Sequence, residues 1–126
     1  MDPIYIHASS TDSLDLHPNN TSADFTIELP EVLKFRFKVG LVEFFSEYFN
    51  EPILVFSDFI ESSYVASEEH ALLRIVKSPG EFKHIQFHKG SRQSIKRIRI
   101  YLTNQNLEVP STSLGRVTCS LLLIPY

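Results

Sequence analysis

The chain predicts an all-β fold, two sheets sharing one core, and three observations carry that prediction. First, apolar and polar residues alternate in short stretches: Phe25-Thr26-Ile27-Glu28-Leu29, Phe35-Arg36-Phe37-Lys38-Val39, Ile98-Arg99-Ile100-Tyr101-Leu102 and Val117-Thr118-Cys119-Ser120-Leu121. Successive side chains of a strand point to opposite faces, so each stretch makes one dry face and one wet face. Second, Pro, Gly, Asn or Ser closes each stretch, as strand-and-turn chains require. Third, no heptad or other helical period appears anywhere. A length of 126 residues makes this one domain, 1–126, large enough to bury a core without disulfides or metal.

The elements follow in order. Ile4-Tyr5-Ile6-His7-Ala8 opens as a short strand. Ser9 to Asp24 is polar and long for a hairpin, so it is either an exposed functional loop or an arm crossing between sheets. Within it, Leu14 and Leu16 alternate with Asp15 as a short edge strand does, and His17-Pro18-Asn19-Asn20 reads as a turn. Phe25 to Leu29 is a strand stopped by Pro30, and Glu31 to Lys34 is a connector. Phe35 to Tyr48 is the longest regular stretch, with Phe35, Phe37, Val39 and Leu41 inward and Gly40 marking a bulge or close approach. From Leu41 to Phe45, and again from Ile53 to Ile60, both parities are apolar. Such strands are either central or lie beneath an oligomer contact. Tyr64-Val65-Ala66 forms one more rung. Leu72 to Val76 is a strand, and Ser78-Pro79-Gly80 turns the chain. Phe82 to His88 alternates with Ile85 and Phe87 inward, Lys89-Gly90-Ser91 turns, and Ile95 to Thr103 is a strand. Asn104 to Gly115 is a loop, and Val117 to Ile124 closes the domain. That makes eight to ten short antiparallel strands, the pattern of a β-sandwich of jelly-roll type.

Composition narrows the function classes. Ten Phe, five Tyr and no Trp point to a Phe-filled core. With only four Gly there is little material for a glycine-rich phosphate loop. A net charge of −3 supplies no global field to draw the chain onto nucleic acid. The single Cys119 cannot form an internal disulfide and sits in an apolar alternation, as a buried, inert thiol does. Met1-Asp2-Pro3 is followed by no basic and then apolar run, so no signal peptide is expected. No apolar run approaches the ~20 residues that span a bilayer. The sequons at Asn19 and Asn20 read as turn residues.

Each candidate site has a plain reading beside it. His84, Gln86 and His88 share one strand parity, but His residues four apart on a strand lie about 13 Å apart, too far to share a metal at bond lengths of about 2.1 Å. Asp12, Asp15, Asp24 and Glu28 lack calcium-loop spacing and suit turns and edges. No cofactor and no metal site are expected. Ser9-Ser10, Ser62-Ser63 and Ser111-Thr112-Ser113 lack the glycines of a nucleophile elbow. No nucleophile, base and oxyanion donor come together, so the chain reads as a scaffold or interaction protein and not as an enzyme. A local basic patch, Lys89, Arg92, Lys96, Arg97 and Arg99, either touches phosphate or pairs with acids on a neighbouring strand or subunit. The acidic remainder of the chain and the thin aromatic interleaving disfavour nucleic acid. The doubly apolar stretches hold more apolar surface than one small core absorbs, which nominates Phe44, Phe45, Tyr48, Phe49 and Phe59 as anchors of an oligomer interface.

One resemblance covers nearly the whole chain, in order. Asn19-Asn20-Thr21-Ser22-Ala23-Asp24-Phe25-Thr26-Ile27-Glu28-Leu29-Pro30 followed by Phe37-Lys38-Val39-Gly40-Leu41-Val42-Glu43 resembles the opening of a family carried by Polinton/Maverick elements and adintovirus-like DNA viruses. Phe37 stands where the family pattern has Trp. Ile53 to Glu61, Leu72-Leu73-Arg74-Ile75-Val76, Ile95 to Ile100 and Val117 to Leu123 are similar to its later strands. The resemblance implies a virion structural protein, a minor capsid or penton-like subunit. It implies a ring-like homo-oligomer, trimer or pentamer, that assembles with a major capsid protein after synthesis in host cytoplasm or nucleus. The alternative expectation is an attachment or carbohydrate-recognition module using the Ser9 to Asp24 and Asn104 to Gly115 loops.

Overall fold

The computed structural model describes residues 2–65, 67–91, 94–110 and 113–126. Ala66, Arg92, Ser111 and Thr112, all named above, therefore lie outside the described residues. Eleven strands form among those described: β1 (Ile4–Ser9), β2 (Asp24–Leu33), β3 (Phe37–Ser46), β4 (Ile53–Ser57), β5 (Ser63–Val65), β6 (Glu68–His70), β7 (Leu72–Val76), β8 (Gly80–Glu81), β9 (Phe87–Lys89), β10 (Ile95–Thr103) and β11 (Val117–Pro125). The all-β prediction holds, and every pairing is antiparallel.

The strands make two main sheets. One runs β1-β11-β3, with β8 and β9 both beside β3; the other runs β2-β10-β4-β7. A small β5–β6 hairpin stands apart. The pairing is nested: β1 lies beside β11 and β2 beside β10, and the chain changes sheet between β1, β2, β3 and β4 and again between β10 and β11. The inward parities of both sheets meet in one apolar core, which includes Phe25, Ile27, Phe37, Val39, Leu41, Phe44, Phe59, Ile98, Ile100 and Leu121. This is the sandwich that the alternation requires, since each sheet has one face to hide. Cys119 lies in that core, and burial pushes its thiol up to about 12, which keeps it protonated and inert.

Several elements differ from the sequence reading, each for a physical reason. The β2 strand does not stop at Pro30 but continues to Leu33. It is an edge strand, and its register with β10 slips between Ile95 and Arg97, so the missing proline N–H breaks no ladder bond. Leu14 and Leu16 form no edge strand; the segment coils into turns, with Leu16 and His17 N–H groups both donating to the Ser13 carbonyl. Phe82 to His88 is not one strand. The chain bends at Lys83-His84, and Phe87 faces out with the Lys38 ammonium 5.3 Å from its ring centre. Ile85 is half-buried over Gly40, where an added Cβ would meet its Cγ2, so Gly40 is a close-approach site. The bulge lies two residues on, at Val42, between the Leu41–Leu121 and Glu43–Ser120 pairs. The Ile53 to Ile60 stretch is a five-residue strand followed by a turn at Asp58-Phe59. All five residues of β4 are buried within the single chain. Ile53 and Val55 enter the core. On the opposite face the Phe56 ring stacks on Tyr101, with centroids 5.0 Å apart, and meets His70 of the small hairpin at 5.4 Å. No subunit contact is needed to explain that stretch.

Candidate functional site

The basic residues do not form one surface. Lys89 belongs to β9 in the first sheet, whereas Lys96, Arg97 and Arg99 project from β10 in the second. Arg92 lies outside the described residues. The β10 cations are matched by their neighbour β2. Arg97 stands in register with Glu28 and donates its Nε–H to Oε1 at 2.7 Å; the His17 ring Nε2 reaches the same oxygen at 2.9 Å. Arg99 forks onto Asp24 with bonds of 2.9 and 2.8 Å, and Lys96 Nζ donates to the Leu29 carbonyl at 2.6 Å. The Asp24 bonds hold the Arg99 guanidinium above its ordinary range, and the guanidinium lies 4.7 Å from the Tyr101 ring centre. Burial raises the Tyr101 phenol in turn. Of the two readings of this patch, pairing with acids on a neighbouring strand describes Arg97 and Arg99.

The Arg97 bond, and then the His17 bond, hold the Glu28 carboxyl below its ordinary value of 4.5. A folded-state value below the unfolded one contributes stability above the unfolded value, and that stability fades as pH falls through the folded value. Glu28→Gln is therefore expected to be less stable than the parent at pH 7. The difference should close on acidification below about pH 4, where carboxylates in the unfolded chain also protonate. Urea melts across that window check it, and a pH-independent difference would exclude this carboxylate as the cause. The effect is modest because Arg97 is exposed to solvent and salt screens its pair with Glu28.

The proposed aromatic anchors separate into core and surface. Phe44 and Phe59 are fully buried, so the expectation that they anchor an interface is corrected: they fill the sandwich interior, with Phe59 packed on Phe37 at 5.7 Å. Phe49 is half-buried and meets Phe44 edge-on at 6.5 Å, which also commits it to the core margin. Phe45 is 46% exposed and Tyr48 is 64% exposed. Phe45 pairs with Thr118 on β11, and the Tyr48 N–H donates to the Leu114 carbonyl just beyond the strand. Bulge and parity explain the split, because the extra residue at Val42 puts Phe44 inward and Phe45 outward.

The polar Ser9 to Asp24 segment has a role that sequence reading missed. The Asn20 side chain accepts from the Thr26 N–H at 2.9 Å and donates to the Thr26 carbonyl at 2.8 Å. One amide thus stands in for a neighbouring strand along the open edge of β2. Ser13, at a left-handed φ of 57°, turns its Oγ to accept from the Glu28 N–H at 3.0 Å. Pro30 offers no donor on the same strand. These groups seal the edge against pairing with another chain. The signal was available: a polar tract rich in Asn and Ser, immediately before a strand with proline, is what a side-chain edge seal needs. Asn20→Ala is expected to lose about 1–2 kcal/mol, the cost of orphaning half-buried backbone groups. Asn20→Asp keeps the acceptor for the Thr26 N–H but sets a carboxylate oxygen against the Thr26 carbonyl, so it too should lose stability. Equal stability of all three proteins in urea would remove this role.

The histidines serve the framework. The half-buried His88 ring has Nε2 2.8 Å from the Leu73 carbonyl, tying β9 to β7 across the sandwich. His7 Nδ1 meets Ser120 Oγ at 2.8 Å. His84 is exposed, and its carbonyl accepts from Arg74, whose guanidinium lies 3.9 Å from the Phe82 ring centre. Among the described residues no three His, Cys, Asp or Glu side chains converge as a metal site. The acids of the polar segment have other duties: Asp12 accepts from the Ser9 N–H and Asp24 holds Arg99. No helix among the described residues is long and apolar enough to cross a membrane. No family model matches the chain, and no curated protein matches it.

Proposed function

We propose that this chain is a non-catalytic virion structural protein: a jelly-roll minor capsid or penton-like subunit that forms a ring and docks against a major capsid protein. The observation that carries the reading is the strand order. Sheets β1-β11-β3-β9 and β2-β10-β4-β7 are what a long hairpin makes when wound into a double-sheet jelly roll, an architecture shared by capsid and lectin domains. The resemblance of the Asn19–Glu43 region to the Polinton/Maverick family points the same way. The side-chain chemistry supports a scaffold. Its polar groups are spent on its own backbone, as at Asn20, Ser13 and His88, and among the described residues no buried side-chain nitrogen or oxygen lacks a partner.

The ring contact in this reading uses Phe45 and Tyr48, the two proposed anchors that stay exposed. They lie at the C-terminal end of β3, Phe45 within the strand and Tyr48 two residues past it, where a heterologous contact can repeat around an axis. Light scattering tests it. The expected mass is a multiple of three or five subunits, broken down in a Phe45→Ser, Tyr48→Ser double variant that melts like the parent. Co-expression with the major capsid protein of the same element should yield a complex. A species with no ring order across pH and salt, together with no such complex, overturns the reading.

A further inference from the structure

We propose that the free edge of β1 is a two-fold pairing site for a second copy of this chain. The sandwich has other edges, and the protein guards them. The β2 edge is sealed by Asn20, Ser13 and Pro30. At the β7 edge the Leu73 carbonyl takes the His88 ring and Arg74 is tied to the His84 carbonyl. β8 and β9 are two and three residues long. These are the usual defences against edge pairing. Among the described residues β1 has none of them between Ile4 and Ala8: no acid, no Lys or Arg, no proline and no second strand or segment bonded to its outer side.

Ladder parity says which groups are open. The Ser10 N–H donates to the Val117 carbonyl at 2.8 Å, and Ser10 continues the β1–β11 register. Antiparallel bonding alternates, so Ala8, Ile6 and Ile4 face β11, while Tyr5, His7 and Ser9 face away. Asp12 takes the Ser9 N–H. The backbone groups of Tyr5 and His7 remain as the open edge, and they specify the occupant's chemistry: an extended backbone.

A second copy fits because this edge is complementary to itself. With Ile6 on the two-fold axis, Tyr5 lies opposite His7 of the second copy, and the reverse. Two such narrow pairs make four backbone hydrogen bonds and use every free group of both residues. The strand itself opposes no charge to this register. Pro3 to Ser9 carries no acid and no Lys or Arg, so no like charges meet at the axis. Tyr5 is 59% exposed and already stacks parallel to His7, 6.3 Å away, so pairing continues a row of rings across the axis. Behind the edge lies a groove of about 450 Å³ whose lining includes the apolar Ile4, Ile6, Ile27 and Leu33 and the acids Asp12, Glu28 and Glu31, and the second strand would roof its apolar part. This contact is separate from the Phe45–Tyr48 face and does not depend on the ring.

Two variants test it on the full chain. Tyr5→Pro removes a donor that points away from β11, a place where an edge strand tolerates proline, and it should halve the mass measured by light scattering. Ile6→Cys places two thiols across the axis at a non-hydrogen-bonded pair, about 4.5 Å between Cα atoms. Mild oxidation should then give a linked pair on a non-reducing gel, while the parent, with only the buried Cys119, stays single. The Phe45→Ser, Tyr48→Ser variant should still give the Ile6→Cys pair, which separates this contact from the ring. A Tyr5→Pro protein of unchanged mass overturns the proposal. If that variant does not fold, the cysteine experiment decides alone, and absence of a linked pair overturns it.

Discussion

Phe59→Ala will destabilise the protein by about 3–5 kcal/mol, the usual cost of truncating a buried phenylalanine. The ring is completely buried beside Phe37, and the cavity left behind has rigid walls. Phe59 sits in the turn after β4, two residues past its end, and its carbonyl accepts from the Ser91 N–H. That bond fixes the backbone and prevents the site from collapsing into the void. Domains of this size hold roughly 5–15 kcal/mol in total, so the variant should unfold early in urea. Phe45→Ala, on the open face, should stay within about 0.5 kcal/mol of the parent. The contrast is the useful reading, because both residues look alike in the sequence. A Phe59→Ala protein that melts with the parent would contradict the core assigned here.

Gly90→Ala is the second large effect, and it acts by overfilling. Gly90 forms a bridge to Ile60 and donates its N–H to the Phe37 carbonyl at 3.0 Å. A Cβ at this position would come within 2.3 to 2.7 Å of three atoms of the Phe37 ring. That ring is 2% exposed and is held between Phe35 and Phe59. The backbone on either side is tied by the Glu61 N–H to the Lys89 carbonyl and by Ser91 to Phe59. Neither the ring nor the strand can yield cheaply, so the expected loss is about 1–3 kcal/mol. Pairing Gly90→Ala with Phe37→Leu frees the space and should recover part of the stability that Gly90→Ala loses, relative to the sum of the two single effects. Strict additivity in that double-mutant cycle would show that the contact is not what excludes the methyl group.

The strands legible in the sequence were those with one wet and one dry face. Ile95–Thr103 appears with the bounds read from the sequence and Val117–Pro125 within a residue, and the short Leu72–Val76 strand is also where it was read. Pro30 misled because a proline ends a central strand but not an edge strand, and a sequence does not say which strand is at the edge. Phe87 misled because the short β8 and β9 strands and the bend between them turn its parity outward. The five proposed anchors could not be sorted in advance. The doubly apolar Ile53–Ser57 run proved central and covered by Tyr101 and His70, while the bulge at Val42 alone sets which of Phe44 and Phe45 is wet. The basic patch failed as a unit for a similar reason. Residues close in the chain, Lys89 and Lys96, belong to different sheets, and the acids that meet Arg97 and Arg99 come from some seventy positions away.

By itself the sequence determined that this protein is a two-sheet β domain, because side-chain period and turn chemistry are local properties that no partner strand can reverse. Only the tertiary structure decided which edges are closed and which is open. Whether the N–H and C=O of a strand are satisfied depends on what the rest of the chain lays beside it: Asn20 beside Thr26, His88 beside Leu73, and nothing beside Tyr5 and His7 among the described residues.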